Sequence, residues 1–340
     1  MNEPLQIAVV GCGYWGPNLI RNFRSHSDCV VKTVCDLNEE RLNHMKGLYP
    51  EINTTLDYMD IINDDGIGAV TVATPVDLHY DLAKKCLLAG KHVFVEKPMT
   101  SSAVHSKELV EIAEQGRLTL MVGHTFIYSA PVRRIKEIVD SGELGEIYYI
   151  SSRRLNLGLF QRDINVTWDL APHDISIILF LFGRPPYSVN CQGKAHINPG
   201  IEDVTNLTLN FDNGGFATIH SSWLDPNKIR EMIIVGSKKM LVYDDTEPLE
   251  KIKIYDKRVE APPHYDDFAG FTYSYHYGDM YAPYIQQTEP LKVETRHFLD
   301  SIASGEEPIT SGRDGHHVVQ ILEAASRSLA NDGGAVIIDG

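Results

Sequence analysis

The run Gly11-Cys12-Gly13-Tyr14-Trp15-Gly16 constrains this chain more than any other feature, because it follows an apolar strand pattern at residues 6–10 and opens a helical one. Glycines there allow a tight turn and close approach of the backbone to a bound group, and a helix N-terminus aims free N–H groups and a positive dipole at it. A dinucleotide pyrophosphate is held in this way, with Gly11, Gly13, Tyr14, Trp15 and Gly16 as candidate contacts. Pro17 does little harm, since first-turn amides have no intrahelical acceptor to lose. A glycine motif alone also fits an ordinary strand-to-helix turn, and Asp36 decides between the two. It ends the second strand pattern 20 residues after Gly16, where a carboxylate accepts hydrogen bonds from the adenosine ribose and repels a 2′-phosphate. NAD is therefore expected over NADP, with Arg41 as the neighbour able to reverse that preference.

The rest of the first third supports a nucleotide fold. Strand patterns at residues 6–10, 30–36, 69–74, 92–96 and 118–123 alternate with helical spacing at 39–48, 78–89 and 102–114. Such alternation forces right-handed crossovers and a parallel sheet, and the apolar runs suit strands covered on both faces. After residue 123 the strands lengthen and alternate, at 147–154, 188–196, 203–211, 216–223, 232–235, 240–243 and 251–255, with a glycine-rich turn at 212–215. Helical patterns fall at 132–140, 173–182, 292–304 and 315–329. The expected class is α/β plus α+β, a Rossmann domain over residues 1–123 and a mostly antiparallel substrate-binding domain over 124–340. The patternless stretch 259–290 carries Tyr265, Tyr273, Tyr275, Tyr277, Tyr281 and Tyr284. It suits either a contact surface or a loop packing its own rings.

Composition narrows the partners. A formal charge of −15 argues against nucleic acid or an anionic membrane, both of which require a broad basic surface. No apolar run reaches the roughly 18 residues of a membrane span. The first residues show neither a basic nor an apolar signal region, so a cytoplasmic location is expected. Five scattered cysteines, an odd number, suit reduced core thiols.

Two clusters can carry chemistry. A strand running into Glu96-Lys97-Pro98 places Glu96 and Lys97 at the carboxyl end of the parallel sheet, where open α/β sheets bind ligands. A solvated ion pair is the plainer reading of two adjacent charges. Further on, Asp169 and His173 project to one side of a helix predicted to start near Asp169, although an N-cap and an incidental histidine fit equally well. A metal pair is disfavoured, because no further ligand has recognisable spacing.

Taken together, the glycine motif, Ala73-Thr74-Pro75 with His79, Glu96-Lys97-Pro98 and the Asp169/His173 spacing resemble the Gfo/Idh/MocA oxidoreductases over nearly the whole chain. The resemblance implies an N-terminal Rossmann domain and a C-terminal domain whose large open sheet pairs subunits into homodimers or homotetramers. It assigns Lys97 as the catalytic lysine, Pro98 as an often cis proline and Glu96 as a contact to the nicotinamide-side ribose. Thr74, Pro75 and His79 then line the nicotinamide side, and Asp169 and His173 orient substrate and move its proton. Residues 154–158 and 161–165, leading to Asp169, most resemble members that handle nucleotide sugars, including those that oxidise C3 of UDP-N-acetylglucosaminuronate. Pro172 departs from the small residue that many relatives carry before the histidine.

The activity so implied is NAD-dependent oxidation of a carbohydrate hydroxyl. An imidazole has a reference pKa near 6.5, close to working pH, so His173 is the first choice to take the hydroxyl proton. Lys97, as an ammonium, stabilises the developing alkoxide. This requires Lys97 and His173 to converge beside the reactive face of the nicotinamide. Arg154 is a candidate for a carboxylate or diphosphate, as are Arg153, Arg162, Lys228 and Arg230. Asn156, Gln161 and Asn165 can read sugar hydroxyls, and Trp168 can pack on a sugar face. An inositol or free-sugar dehydrogenase, a family member with tightly held NAD, and a non-catalytic NAD sensor are the alternatives.

Overall fold

The computed structural model describes residues 3–260 and 273–338. Tyr265 lies outside the described residues. The chain divides into two compact units: Met1–Ser129 with Thr288–Glu323, and Ala130–Gln287 with Ala324–Gly340. In place of the single break expected after residue 123 the chain passes between the units three times, after Ser129, Gln287 and Glu323, because residues 288–323 return to the first unit.

The first unit opens with β1 (Leu5–Val10), α1 (Gly16–Arg24), β2 (Cys29–Cys35), α2 (Glu39–Leu48), β3 (Asn53–Thr55) and α3 (Met59–Ile62). It continues with β4 (Ala69–Val72), α4 (Val76–Leu88), β5 (His92–Glu96), α5 (Ala103–Gly116), β6 (Leu120–Gly123) and a 3-10 turn at Thr125–Tyr128. All the strand pairs are parallel, in the order β3-β2-β1-β4-β5-β6. The order reverses between β1 and β4, which is where a doubly wound sheet opens a crevice at its carboxyl ends. β4 and β6 are buried along their whole length, as strands covered on both faces must be. Helix α2 starts where its sequence dictates: the Asn38 side chain accepts from the Glu40 and Arg41 amides, and Glu39 and Glu40 complement the positive end of the dipole.

The second unit holds α6 (Ala130–Asp140), β7 (Ile147–Leu157), α7 (Val166–Phe182), β8 (Ser188–Lys194), β9 (Val204–Asn210), β10 (Phe216–Ser222), β11 (Leu224–Gly236) and β12 (Met240–Asp244). β13 (Ile252–Glu260) and β14 (Ser274–Tyr281) follow, and β15 (Val336–Ile337) closes the chain. Its nine-stranded sheet runs β14-β13-β12-β11-β7-β10-β9-β8-β15 and is antiparallel except where β10 lies parallel to β7. The predicted hairpin forms as β9 and β10, with Phe216 opposite Asn210. α7 packs its apolar residues, Ile175 and Ile178 among them, against β7, β9 and β10.

Two expectations change. α7 begins at Val166 rather than near Asp169, because Asn165 caps it by accepting from the Trp168 amide at 3.2 Å. Part of the stretch read as patternless is the edge strand β14, in which Tyr275 and Tyr277 are exposed. Of the last two helices, α8 (Pro290–Ser304) lies in the first unit, and α9 (Gly312–Ala330) begins there and leaves it after Glu323. Phe298 of α8 is fully buried and packs edge-on against Phe23 and Phe94, at centroid distances of 6.2 and 5.7 Å. Arg21 of α1 donates to Glu289 at the head of α8. No described helix is long and apolar enough to cross a membrane.

Candidate active site

The glycine loop is shaped by what cannot fit. Gly11 has a φ of +98°, and a Cβ there would sit 2.5 Å from the Ala73 carbonyl oxygen; at Gly16 a Cβ would meet the Gly11 oxygen at 2.0 Å. Those two glycines close the turn. At Gly13 the nearest atom to a Cβ would be Arg41 Nη1 at 3.9 Å, so this position faces open space and leaves room for a phosphate group. The space is a cavity of about 1250 Å³ in the first unit, lined by Gly11, Gly13, Tyr14, Asp36, Thr74 and Pro75. Tyr14 and Trp15 stand exposed at it with their rings edge to face.

Asp36 is itself part of the loop. Its Oδ2 accepts from the Cys12 amide at 2.6 Å and its Oδ1 from the Asn38 amide at 2.8 Å, so the carboxylate is fixed with lone pairs left for ribose hydroxyls. Arg41 Nη1 lies 3.6 Å from Asp36 Oδ2 and is half exposed. These residues fit a dinucleotide, with a backbone cradle for phosphates and a fixed acceptor beside it.

At the ends of β4 and β5 the residues divide into those that face outward and those that hold the loops. The Lys97–Pro98 peptide is cis. His79 is buried, with Nδ1 2.9 Å from the Pro98 oxygen and Nε2 2.7 Å from the Thr74 oxygen. It therefore ties the loop after β4 to the loop after β5. Glu96 is buried and accepts from the Lys97 amide at 3.3 Å. Burial pushes its carboxyl up to about 7, against the pull of the Lys97 charge. Lys97 is half-buried.

In the second unit, Asp169 and His173 lie four residues apart on α7, both half-buried. Asp169 Oδ2 accepts from the indole Nε1 of Trp223 at 2.9 Å. Trp223 is fully buried, packs at 5.5 Å on Phe160, and crowds Gly158 so closely that a Cβ there would meet the ring at 2.7 Å. Pro172, inside the helix, has no N–H to offer the Trp168 carbonyl, a local break in the ladder just before His173.

Several expected substrate contacts already have intramolecular partners. Arg154 is buried, with Nε 2.6 Å from Asp174 Oδ2 and Nη2 3.3 Å from Oδ1, and Ser152 completes the group at 2.8 Å. Burial opposes the Arg154 charge and Asp174 overcomes it, raising its pKa further. Asn165 both caps α7 and donates to Glu202 at 2.8 Å. The Trp168 indole donates to Ser326 at 2.9 Å. Arg153 pairs with Glu231 and Arg230 with Asp245. Asn156 and Gln161 are half-buried, and Arg162 is exposed. No cluster of three or more metal-ligating side chains occurs among the described residues.

Comparison with known proteins agrees with this geometry. Residues 5–124 match the model described as "Oxidoreductase family, NAD-binding Rossmann fold", and residues 132–242 match the GFO/IDH/MocA C-terminal domain. The chain belongs to the Gfo/Idh/MocA oxidoreductase family. It is an NAD-binding dehydrogenase of that family. It is similar to the uncharacterized oxidoreductase YrbE of Bacillus subtilis, 25% identical over 97% of this chain and 96% of that one. It is also similar to the myo-inositol 2-dehydrogenase of Thermotoga maritima, 24% identical over 96% of both chains. Among solved structures, the UDP-N-acetylglucosamine 3-dehydrogenase GnnA of Acidithiobacillus ferrooxidans superposes with a TM-score of 0.80 at 21% identity, covering 98% of this chain and 99% of that one.

Within this Gfo/Idh/MocA member, sequence reasoning missed Trp223 and Asp174. Trp223 ends a predicted strand as one more apolar residue, and Asp174 reads as a neighbour of His173. Each has its partner far along the chain, 54 residues away for Trp223 and 20 for Asp174. No local pattern marks such pairs.

Proposed function

We propose that this enzyme oxidises a secondary hydroxyl of a sugar or nucleotide sugar, such as C3 of a UDP-N-acetylhexosaminuronate. A bound NAD would supply the acceptor for the hydride that leaves the carbinol carbon. His173 takes the hydroxyl proton, and Lys97 stabilises the alkoxide as an ammonium, a division that follows from reference pKa values near 6.5 and 10.4. Asp169 orients the sugar or the imidazole. Gly11, Gly13 and Gly16 cradle the pyrophosphate, Asp36 holds the adenosine ribose, and Glu96 and the Thr74-Pro75 loop serve the nicotinamide half. The observation that carries this reading is Asp169 locked by the Trp223 indole on the same helix as His173. A helix-borne carboxylate fixed by a buried donor is pre-organised for recognition of hydroxyl groups.

Asn156 and Gln161 are the candidate readers of the sugar, and exposed Arg162 is the candidate for an anionic substituent. Arg154, Asn165 and Trp168 shape the pocket from behind, given their intramolecular partners. An inositol substrate is the second reading, favoured by the similarity to myo-inositol 2-dehydrogenase along almost the entire chain. Subunits pair through the open sheet, where Phe216 stacks on Tyr149 at 5.5 Å and is exposed, as is Met280. NADH formation measured across UDP-sugars, UDP-uronates, inositols and free sugars tests the substrate class. A preference for UDP-N-acetylhexosamine derivatives supports the first reading, and turnover restricted to inositols replaces it with the second.

A further inference from the structure

Behind Lys97, three buried polar side chains converge on one short segment of the first unit. Glu96 ends β5 beside Gly123 of β6, and a Cβ at Gly123 would lie 3.2 Å from Glu96 Cδ and Oε2 and 3.3 Å from Oε1. Two residues on, Thr125 Oγ1 donates to Oε2 of Glu294, from α8, at 2.7 Å. His124 sits between these two attachments. Glu96, His124 and Glu294 are all buried, Glu294 with no exposed surface. Among the described residues, Glu96 Oε1, Glu294 Oε1 and both ring nitrogens of His124 have no hydrogen-bond partner. Buried polar atoms are ordinarily paired, so four such atoms gathered here call for a role.

The charges that face this cluster are few. β5 contributes Glu96 and the Lys97 ammonium, the end of β6 contributes His124, and α8 contributes Glu294; His79 of α4 is turned to the Pro98 and Thr74 carbonyls. Burial, and then Lys97, push His124 down to about 3, so it is a neutral imidazole at working pH. Burial, and then the Glu96 charge, push Glu294 well above the usual carboxylate range. Two carboxyls that share one buried site do not both ionise, and the proton belongs to the pair.

We propose that Glu294 is a positioning residue of the cofactor site: it holds the proton of the Glu96–Glu294 pair, stands as a neutral polar neighbour, and leaves the single negative charge on Glu96 beside Lys97. There the charge favours the cationic, oxidised nicotinamide over the neutral, reduced one. The inference rests on the reading of Glu96 as a nicotinamide-side contact, and it adds a residue of α8, nearly 200 positions away in sequence, to the device that sets cofactor preference.

The test is the ratio of Kd for NADH to Kd for NAD⁺, measured by calorimetry on the full chain between about pH 5.5 and 9, in wild type, Glu294→Gln, Glu294→Ala and Glu96→Gln. The ratio cancels groups that act only on the adenosine half. In wild type it rises roughly fivefold to tenfold with a midpoint near the Glu96 value of about 7. Glu294→Gln keeps a neutral polar side chain of the same size and retains that midpoint. Glu294→Ala removes the polar group that supports the Glu96 charge and moves the midpoint up by about one pH unit. Glu96→Gln gives a flat profile. A merely structural Glu294 lowers the Tm of the alanine variant without moving the midpoint, and that result overturns the proposal, as does a glutamine variant that shifts as far as alanine.

A flat wild-type profile, or a Glu96→Gln variant that keeps the wild-type profile, overturns the reading of Glu96 and the proposal with it. Turnover plays no part in these binding measurements, so failure of the substrate assignment is read separately. Stability gives a second check with a definite sign. A carboxyl whose pKa is raised on folding binds more protons folded than unfolded, so the contribution of Glu294 to stability falls as pH rises above about 4.5. The Tm of Glu294→Gln minus that of wild type therefore grows from about pH 5 to about pH 9. A difference that is negative and constant over that range contradicts a protonated Glu294.

Discussion

The cofactor crevice of the first unit and the helix-borne site of the second are built from different materials. The crevice is mostly backbone: a loop closed at Gly11 and Gly16, open at Gly13, and pinned to β2 by the Asp36 carboxylate. The second site is made of side chains, with Asp169 fixed by Trp223 and the sheet beneath α7 held by the buried Arg154–Asp174 pair. Backbone sites are changed by adding atoms, and side-chain sites by removing them. Mutations in the two units should therefore fail in opposite ways.

The largest contrast is expected from His173→Ala. Loss of a positioned proton acceptor lowers kcat by about 10² to 10⁴, while NADH affinity, set in the other unit, stays within about twofold. Steady-state kinetics and calorimetry on one preparation check both halves. An unchanged kcat would remove His173 from the chemistry.

Next in size is Asp174→Ala, which strands a buried guanidinium and costs about 3 to 5 kcal/mol of stability. Denaturant unfolding reads it, and replacing both partners with apolar residues recovers most of the loss. If Arg154 served the substrate instead, the same variant would raise KM and leave stability alone.

Gly13→Val sharpens the comparison from the other side. Its branches enter the space left for phosphate, so NADH affinity falls by more than about tenfold with Tm close to wild type, since no backbone atom lies within 3 Å of the new Cβ. A collapse of Tm with affinity retained in the folded fraction would mean that Gly13 is a folding glycine.

Trp223→Phe is the mildest of the set. The ring volume is largely kept while the indole donor to Asp169 is lost, and kcat falls about tenfold with little change in NADH binding. No change in kcat or KM would show that the indole hydrogen bond does not position Asp169.

The same contrast explains what could be read in the sequence. The glycine loop, Asp36 and the alternation of strands and helices are local patterns, and they mark five of the six strands of the parallel sheet; the three-residue β3 is too short to show one. α2 begins and ends where its periodicity predicts. The helix carrying His173 was placed late because Asp169 looked like a cap, whereas Asn165 performs that role. β14 was obscured by tyrosines and a glycine in a strand with little buried surface, and edge strands carry weak patterning. The return of α8 to the first unit rests on Phe298 meeting Phe23 and Phe94, a contact between residues some 200 to 275 positions apart. Trp223 escaped notice for the same reason: its meaning lies in a partner that proximity in the chain does not reveal.

The central claim is hydride transfer from a sugar carbinol to NAD, and isotopic transfer tests it most directly. UDP-N-acetylglucosaminuronate deuterated at C3 is incubated with the enzyme and NAD⁺, and the NADH is analysed by mass spectrometry. The account predicts one deuterium at nicotinamide C4 and a 3-keto sugar in equal amount. NADH without deuterium, or no NADH from this or any other tested carbohydrate while the cofactor still binds, would contradict it.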